Sequence, residues 1–277
     1  MIILIDIIKY IILGIIQGIS EIFPVSSSGH LTIFAHILKI DTSNLTIFLM
    51  ITNAGSFLAL LFFFRKDILS LIVSSWNFIF RRKKLSEEQY LSEKIEFHYV
   101  LKLLIAAVPI GIAGLLIKDY LPDNLFFVGT ALLATGVLLS IVFYFRNQKF
   151  ANEVTWKNAM VIGLFQTLAV FPGISRSGIT IVGGLSQKVN LKDALRFSFL
   201  CYIIISVPVT LLGIYDALNA SEEIHVIGYS LAFIFSFIAT FISVKFIYKY
   251  VKVKNLIHFA IYCLIIGSVA ITLHFFI

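Results

Sequence analysis

Long apolar stretches alternate along this chain with short polar connections. Helices of about 20 apolar residues are long enough to cross the ~30 Å hydrocarbon layer of a bilayer. The pattern therefore predicts an all-α polytopic membrane protein. Six stretches are predicted to be uninterrupted spans: Leu45–Phe64, Val100–Ile117, Leu125–Phe145, Ala194–Ile214, Val226–Phe246 and Leu256–Ile277.

Two polar segments interrupt this pattern and resemble each other. The first is Gly14–His30, and the second, Gly163–Gly178, begins 149 residues later. Without a gap, identical residues coincide at five positions: Gly14 and Gly163, Gln17 and Gln166, Ser26 and Ser175, Ser28 and Ser177, Gly29 and Gly178. Polar residues inside a membrane usually serve chemistry or transport. Corresponding breaks in two halves of a chain indicate a site between the repeats.

The spans and breaks predict an inverted-topology repeat within a single membrane domain. Each half would hold a re-entrant broken helix pair followed by three transmembrane helices, so the second half would be upside down relative to the first. The predicted halves are residues 1–145, with a cytoplasmic insertion at 66–98, and residues 146–277. The predicted broken pairs are Ile2–Ser20 with Ser26–Leu38, and Ala159–Phe171 with Gly178–Ser186.

The charges support this topology. The chain carries a net charge of +7, and its Lys and Arg residues collect in the loops beside the spans. With 65–98 in the cytoplasm, fifteen Lys and Arg residues fall inside and two fall outside, as the positive-inside rule requires. The segment Ile68–Phe80 would then lie along the cytoplasmic face. Charges arranged in this way predict membrane lipids as partners and no nucleic acid.

The polar segments are predicted to bind an anion. Pro24 and Pro172 lie at the breaks, where proline ends one helix or opens the next. Ser26–Ser28 and Ser175–Ser177 would then form the first turns of short helices, whose free N–H groups attract negative charge. Arg176 adds a permanent cation whose forked guanidinium matches phosphate oxygens.

Gln17 and Glu21 are four residues apart and therefore share one helix face. An isolated carboxylate in an apolar segment is costly, so Glu21 should hold a metal ion, pair with Arg176 or act as an acid or base. Oxygen ligands from Glu21, Gln17 and phosphate would suit Mg²⁺ or Ca²⁺. Asn53 could line the same site or join two helices.

His30 follows Ser26 by four residues and Ser27 by three, which places it on their face of the helix. It could be the base for a hydroxyl nucleophile such as Ser27, or a nucleophile itself. A water on a bound cation, with His30 or Glu21 as base, fits the same residues. A buried, hydrogen-bonding histidine without a chemical role is the alternative.

Three motifs give the chain a family resemblance. They are Gln17-x-x-x-Glu21, Pro24-x-Ser-Ser-Ser-Gly-His30 and Pro172-Gly-x-Ser-Arg-Ser-x-x-Thr180. With these motifs the chain resembles, over its whole length, the undecaprenyl-diphosphate phosphatase family, bacterial membrane enzymes of the bacitracin-resistance type. The resemblance implies conversion of undecaprenyl diphosphate to undecaprenyl phosphate for cell-wall synthesis. It also implies a divalent cation and a site that opens to the outer side of the bacterial cytoplasmic (inner) membrane.

The resemblance also assigns roles to individual residues. The catalytic residues would be Glu21, Ser27, His30 and Arg176, and the metal ligands Glu21 and Gln17. Because position 17 is a glutamine, a metal site with two carboxylates is not expected. The substrate-binding residues would be Gln17, Ser26, Ser28, Gly29, Gly173, Ser175, Ser177 and Thr180.

A transporter or flippase of a lipid phosphate or an anion is the rival interpretation. Secondary transporters also use inverted repeats whose broken helices meet within the membrane. Glu21 with His30 favours the enzyme, since an anion path gains little from a carboxylate. The polyprenyl diphosphate lipid is the expected partner, and the sequence leaves a homodimer open.

Overall fold

The protein is an all-helical, multi-pass membrane protein. The computed structural model describes residues 2–40, 45–117, 120–122, 124–147, 153–219 and 225–276, and these ranges contain helices, turns and no paired sheet strands. Five helices are long and apolar enough to cross a membrane, and a bent pair, α3 with α4, is a sixth candidate. The helices are α1 (Ile2–Ile22), α2 (Ser27–Ile37), α3 (Leu45–Phe63), α4 (Arg65–Phe80), α5 (Glu87–Ile117), α6 (Leu125–Tyr144), α7 (Trp156–Thr167), α8 (Arg176–Ser186), α9 (Leu191–Asn219), α10 (Val226–Tyr250) and α11 (Leu256–Phe276).

Each predicted span corresponds to one of these helices, but α5 starts well before the predicted Val100. Ser86 and Gln89 form a capping box there: the Gln89 N–H donates to Ser86 Oγ at 3.3 Å, and the Ser86 N–H donates to Gln89 Oε1 at 3.1 Å. This reciprocal pair satisfies two N–H groups at the helix start. Much of the predicted insertion 66–98 is therefore helical, divided between α4 and the polar first turns of α5.

Helix α4 turns sharply away from α3. The two helices meet at a bend of 69°. Asp67 on α4 joins Arg196 on α9 through two contacts, 2.8 Å from Nη2 and 2.9 Å from Nε. The outer side of α4 exposes large apolar side chains, among them Leu69, Ile72 and Trp76. A bent, apolar-faced helix is the form expected of Ile68–Phe80, whose place at the cytoplasmic face stays a prediction.

Two close helix pairs run in the same direction. A Cβ added at Gly14 of α1 would lie 2.4 Å from the carbonyl oxygen of Ala232 on α10. In α7, a Cβ at Gly163 would lie 2.9 Å from the carbonyl oxygen of Ala106 on α5. Residue numbers rise together along both pairs, since Thr240 of α10 contacts Gly18, and Lys102 of α5 contacts Val154 just before α7. Small residues permit this close backbone approach in membranes.

Two other pairs run in opposite directions. Along α6 and α11, Gly129 packs against Gly267, and Gly136 packs against Ala260. Along α3 and α9, Met50 contacts Gly213, whereas Phe64 at the end of α3 contacts Phe199. In both pairs the numbers rise along one helix and fall along the other, which makes the helices antiparallel.

The breaks between α1 and α2 and between α7 and α8 lie against each other. A Cβ at Gly29 would be 3.3 Å from the Cα of Gly173, and one at Gly178 would be 3.3 Å from the Cβ of Pro24. The N–H of Gly173 donates to Ser28 Oγ at 3.4 Å. The two polar segments, far apart in sequence, therefore form one region inside the bundle.

Candidate active site

The short helices α2 and α8 begin with the same cap. Ser26 Oγ accepts from the Gly29 N–H at 3.3 Å, and Ser175 Oγ accepts from the Gly178 N–H at 3.1 Å. A serine in this position satisfies one of the free N–H groups at the helix start. The remaining N–H groups and the helix dipole favour a negative charge at both starts.

A cavity of about 220 Å³ lies at these two helix starts. Its polar lining comes from α1, α2, α3, α8 and α9, and its apolar lining comes from α5, α9 and the turn before α8. Such a pocket suits a ligand with a charged end and a hydrocarbon end. The polar residues are Ser20, Glu21, Ser26, Ser27, Ser28, Asn53, Ser175, Arg176, Ser177, Tyr202, Ser206 and Thr210. The apolar residues are Ile110, Ala169, Ile174, Ile205 and Val209.

Glu21 is the central carboxylate of this cavity and is only 7% exposed. Its Oε1 accepts from Arg176 Nη2, and its Oε2 accepts from Ser27 Oγ at 2.6 Å. Gln17 Nε2 also donates to Oε2, at 3.0 Å. The pairing with Arg176, one of the alternatives from the sequence, compensates the burial of the carboxylate. The bond from Ser27 places a hydroxyl group beside a carboxylate, which is the arrangement that nucleophilic catalysis by serine requires.

Gln17 has one unsatisfied atom. Its Nε2 donates to Glu21 and, at 2.9 Å, to Asn53 Oδ1, whereas its Oε1 is buried without a partner. An unpaired buried oxygen costs about 1–3 kcal/mol. Both acceptors face Nε2, so Oε1 points to neither of them, and Gln17 itself does not line the cavity.

The residues present could supply only a few of the oxygen ligands that a divalent cation requires. Within the described ranges, no three His, Cys, Asp or Glu side chains cluster closely enough to hold a metal ion. Glu21 and Gln17 supply hard oxygen atoms of the kind that Mg²⁺ binds together with substrate phosphates.

Arg176 is held on two sides. Its guanidinium carbon lies 3.8 Å from the centre of the Tyr202 ring, in addition to the bond to Glu21. The Tyr202 hydroxyl donates to the backbone oxygen of Asn53 at 3.1 Å. Sequence reasoning missed Tyr202, because an aromatic residue within an apolar span has the signature of core packing.

His30 lies outside this cavity. Its Nδ1 is 2.7 Å from the Ser26 carbonyl oxygen, and its Nε2 is 2.8 Å from the Tyr262 hydroxyl, whose ring it also stacks upon. The imidazole lines a separate, largely apolar groove between α1, α2 and α11. Helical spacing placed His30 near Ser27, but the ring folds back along the helix to the carbonyl group four residues earlier.

Three further predicted site residues, Thr180, Gly173 and Gly29, also do not line the cavity and contact the elements that form it. Thr180 is buried and its Oγ1 lies 2.6 Å from Ser198 Oγ, which ties α8 to α9. Gly173 has φ +97°, and a Cβ there would lie 2.5 Å from the Val128 carbonyl oxygen. Gly29 packs against Gly173. Gly173 thus serves a turn that a side chain would obstruct.

Comparisons with known proteins find similarity over nearly the whole chain. A family model described as "Bacitracin resistance protein BacA" matches residues 10–269. An undecaprenyl-diphosphatase of Acholeplasma laidlawii is 58% identical over 275 residues, which cover 98% of each protein. An undecaprenyl-diphosphatase of Oceanobacillus iheyensis is 38% identical, with 94% of each chain covered, and undecaprenyl-diphosphatase 2 of Bacillus thuringiensis is 38% identical, with 94% and 95% covered. The chain belongs to the bacitracin resistance protein BacA family.

Proposed function

We propose that this protein is an integral membrane phosphatase that converts undecaprenyl diphosphate to undecaprenyl phosphate and inorganic phosphate. One observation carries the proposal: Glu21 binds Ser27 and Arg176 in a cavity at the starts of two helices. The site thereby combines a nucleophile, a base and a phosphate-binding cation. The names of its relatives support undecaprenyl diphosphate as the substrate.

The diphosphate would bind at the polar end of the cavity. The N-termini of α2 and α8 attract its oxygens, and Arg176 offers a forked pair of donors. The hydroxyl groups of Ser28 and Ser177 line the cavity beside these helix starts. The first prenyl units would contact the apolar wall, for example Ile205 and Val209. Phosphoryl transfer depends mainly on positioning and charge stabilisation, and this arrangement provides both.

Ser27 Oγ is the nucleophile in this proposal. It attacks the terminal phosphorus while its proton passes to Glu21. The bond from that phosphorus to the bridging oxygen breaks, and Glu21 passes the proton to undecaprenyl phosphate as it leaves. Water then attacks the phosphoserine with the Glu21 carboxylate as base, the bond from phosphorus to Ser27 Oγ breaks, Glu21 returns the proton to that oxygen, and inorganic phosphate leaves. The 2.6 Å bond between Ser27 and Glu21 favours this route over one through His30, whose two ring nitrogens contact Ser26 and Tyr262.

A divalent cation, Mg²⁺ or Ca²⁺, is part of the proposal. Glu21 would hold it together with diphosphate oxygens, and Gln17 would be a further ligand once its buried Oε1 turned toward the cavity. When bound, such an ion neutralises charge on the phosphate oxygens as the bond to the leaving group breaks.

The helix directions support an inverted repeat of residues 1–145 and 146–277. Because consecutive spans alternate, the packing gives α1, α3, α6 and α10 one direction and α5, α7, α9 and α11 the other. The corresponding helices of the two halves are thus opposed. With the basic loops on the cytoplasmic side of a bacterial cytoplasmic membrane, the cavity would open toward the outer side.

A transporter or flippase of a lipid phosphate or anion is the second candidate, and the opposed helix directions favour it. Carriers use this arrangement around a central site. The contact between Ser27 and Glu21 argues for hydrolysis, since a carrier has no need of an activated hydroxyl group.

Phosphate release by the purified protein in detergent tests the proposal. The parent should release phosphate from undecaprenyl diphosphate, lose that activity with a chelator and regain it with Mg²⁺. Glu21→Gln should be inactive, whereas Glu93→Gln on α5, the same change outside the cavity, should remain active. A folded parent that releases no phosphate but carries an anion across vesicle membranes would overturn the enzyme proposal.

A further inference from the structure

Tyr202 is a cavity residue that neither the motifs nor the proposed reaction explains. It lies in the middle of α9 and is 4% exposed. Its ring centre lies 3.8 Å from the guanidinium carbon of Arg176, at a largely buried site where such a contact is stronger than in water. Its hydroxyl donates to the Asn53 backbone oxygen at 3.1 Å, which fixes the ring against α3.

These contacts complete a closed ring of five residues. Arg176 binds Glu21, Glu21 accepts from Gln17, and Gln17 donates to Asn53. Asn53 accepts from Tyr202 through its backbone oxygen, and the Tyr202 ring lies under Arg176. The ring joins α1, α3, α8 and α9. Within it, Tyr202 is the member that holds Arg176 without using an anionic group.

The contact between Tyr202 and Arg176 becomes important when a diphosphate enters the cavity. Without substrate, Glu21 occupies an N–H group of Arg176. A diphosphate competes for this guanidinium, and the base that Ser27 needs is the same carboxylate. The contact with the Tyr202 ring face makes no demand on the N–H edge, so it persists while the anionic partner changes.

We propose that Tyr202 is a positioning residue that keeps the Arg176 guanidinium in the cavity while diphosphate replaces Glu21 as its partner. This inference rests on the proposed function. Removal of the ring should therefore weaken diphosphate binding and slow catalysis through Arg176, and removal of the hydroxyl alone should matter less.

The test compares Tyr202→Phe and Tyr202→Leu by kcat and KM for undecaprenyl diphosphate. Tyr202→Leu should lower kcat/KM about 10- to 30-fold, in both kcat and KM, because it loses the desolvated ring contact. Tyr202→Phe should keep kcat/KM within about threefold of the parent value. Tyr99→Leu is the matched control: Arg196 lies 5.0 Å above the Tyr99 ring, outside the cavity, so its kcat and KM should match those of the parent.

A double-mutant cycle with Arg176→Lys separates positioning from general damage to the fold. If Tyr202 acts through the guanidinium, Tyr202→Leu should have less than a threefold effect in the Arg176→Lys background. Equal effects in both backgrounds, or parent-like kinetics of Tyr202→Leu, would overturn the inference and leave the proposed function intact. An inactive parent would instead overturn the proposed function.

Discussion

The two polar segments have the same framework but different chemistry. Both have a serine cap, a second serine two residues later and a buried glutamine four residues before the position of Glu21. At the positions with proposed chemical roles they differ: Glu21 corresponds to Val170, and Ser27 corresponds to Arg176. The comparison indicates that the residues forming the two helix starts occur in both halves. Each proposed reacting group occurs in only one of the two segments, so on this proposal neither segment alone has a complete site.

The largest effect should come from the residues that differ. Arg176→Ala should lower kcat about 10³-fold or more, as expected when a guanidinium that stabilises transferring phosphate is lost. Glu21→Gln should have a similar effect, whereas Val170→Ala at the equivalent position should stay within about threefold. Phosphate release under saturating substrate measures all three. A comparable loss in Val170→Ala would contradict the division between the segments.

The next largest effect should be a loss of stability when glycine residues at the two breaks are replaced. Gly173→Ala should destabilise the protein by about 2–4 kcal/mol, because it combines an unfavourable φ with overpacking against Val128. Gly29→Ala and Gly178→Ala should cost less, since the nearest atoms would be 3.2 Å and 3.0 Å from the new Cβ. Thermal unfolding in detergent gives the order, and a Gly173→Ala protein as stable as the parent would contradict it.

Substitution of the equivalent glutamines, Gln17 and Gln166, should show which of them contributes to activity and which only to packing. Gln17→Met should lower activity about 10- to 100-fold and raise the Mg²⁺ concentration needed, because it removes an amide beside Glu21 and the proposed oxygen ligand. Gln166→Met should retain activity within about threefold. Its buried Oε1 also lacks a partner, but its Nε2 donates to the Ala106 oxygen at 3.2 Å, away from Glu21. Equal losses in the two variants would show that both glutamines serve the framework.

The smallest effect should distinguish the two caps. Replacement of either serine by alanine should cost about 1 kcal/mol. Replacement by glycine should differ: Ser26 has φ 70°, where glycine is favoured, but Ser175 has φ −74°. Ser26→Gly should therefore be neutral or stabilising, and Ser175→Gly slightly destabilising. Identical shifts in the thermal midpoint would show that the caps are equivalent in energy as well as in form.

Much of the fold could be predicted from the sequence, because a bilayer requires long apolar helices. The predicted span Val100–Ile117 covers the apolar part of α5, and apolar length does not reveal the polar start of the helix at the cap formed by Ser86 and Gln89. For the site, the motifs selected Glu21 and Arg176, and the structure brings them together. Two details depend on side-chain direction, which periodicity does not determine. One is the His30 ring folded back to Ser26, and the other is the Tyr202 ring beneath Arg176.

The ion pair between Glu21 and Arg176 bears on how the protein discriminates among lipids. With its charges balanced internally, the resting pocket exerts little long-range pull on the anionic headgroups that surround it. A phosphodiester lipid, with a single negative charge and no terminal phosphate, gains too little to separate the pair. A pyrophosphate monoester brings more charge and more acceptor oxygens, so it can compete for Arg176. On the proposed function, we therefore expect this salt bridge to favour the diphosphate lipid over bulk phospholipid.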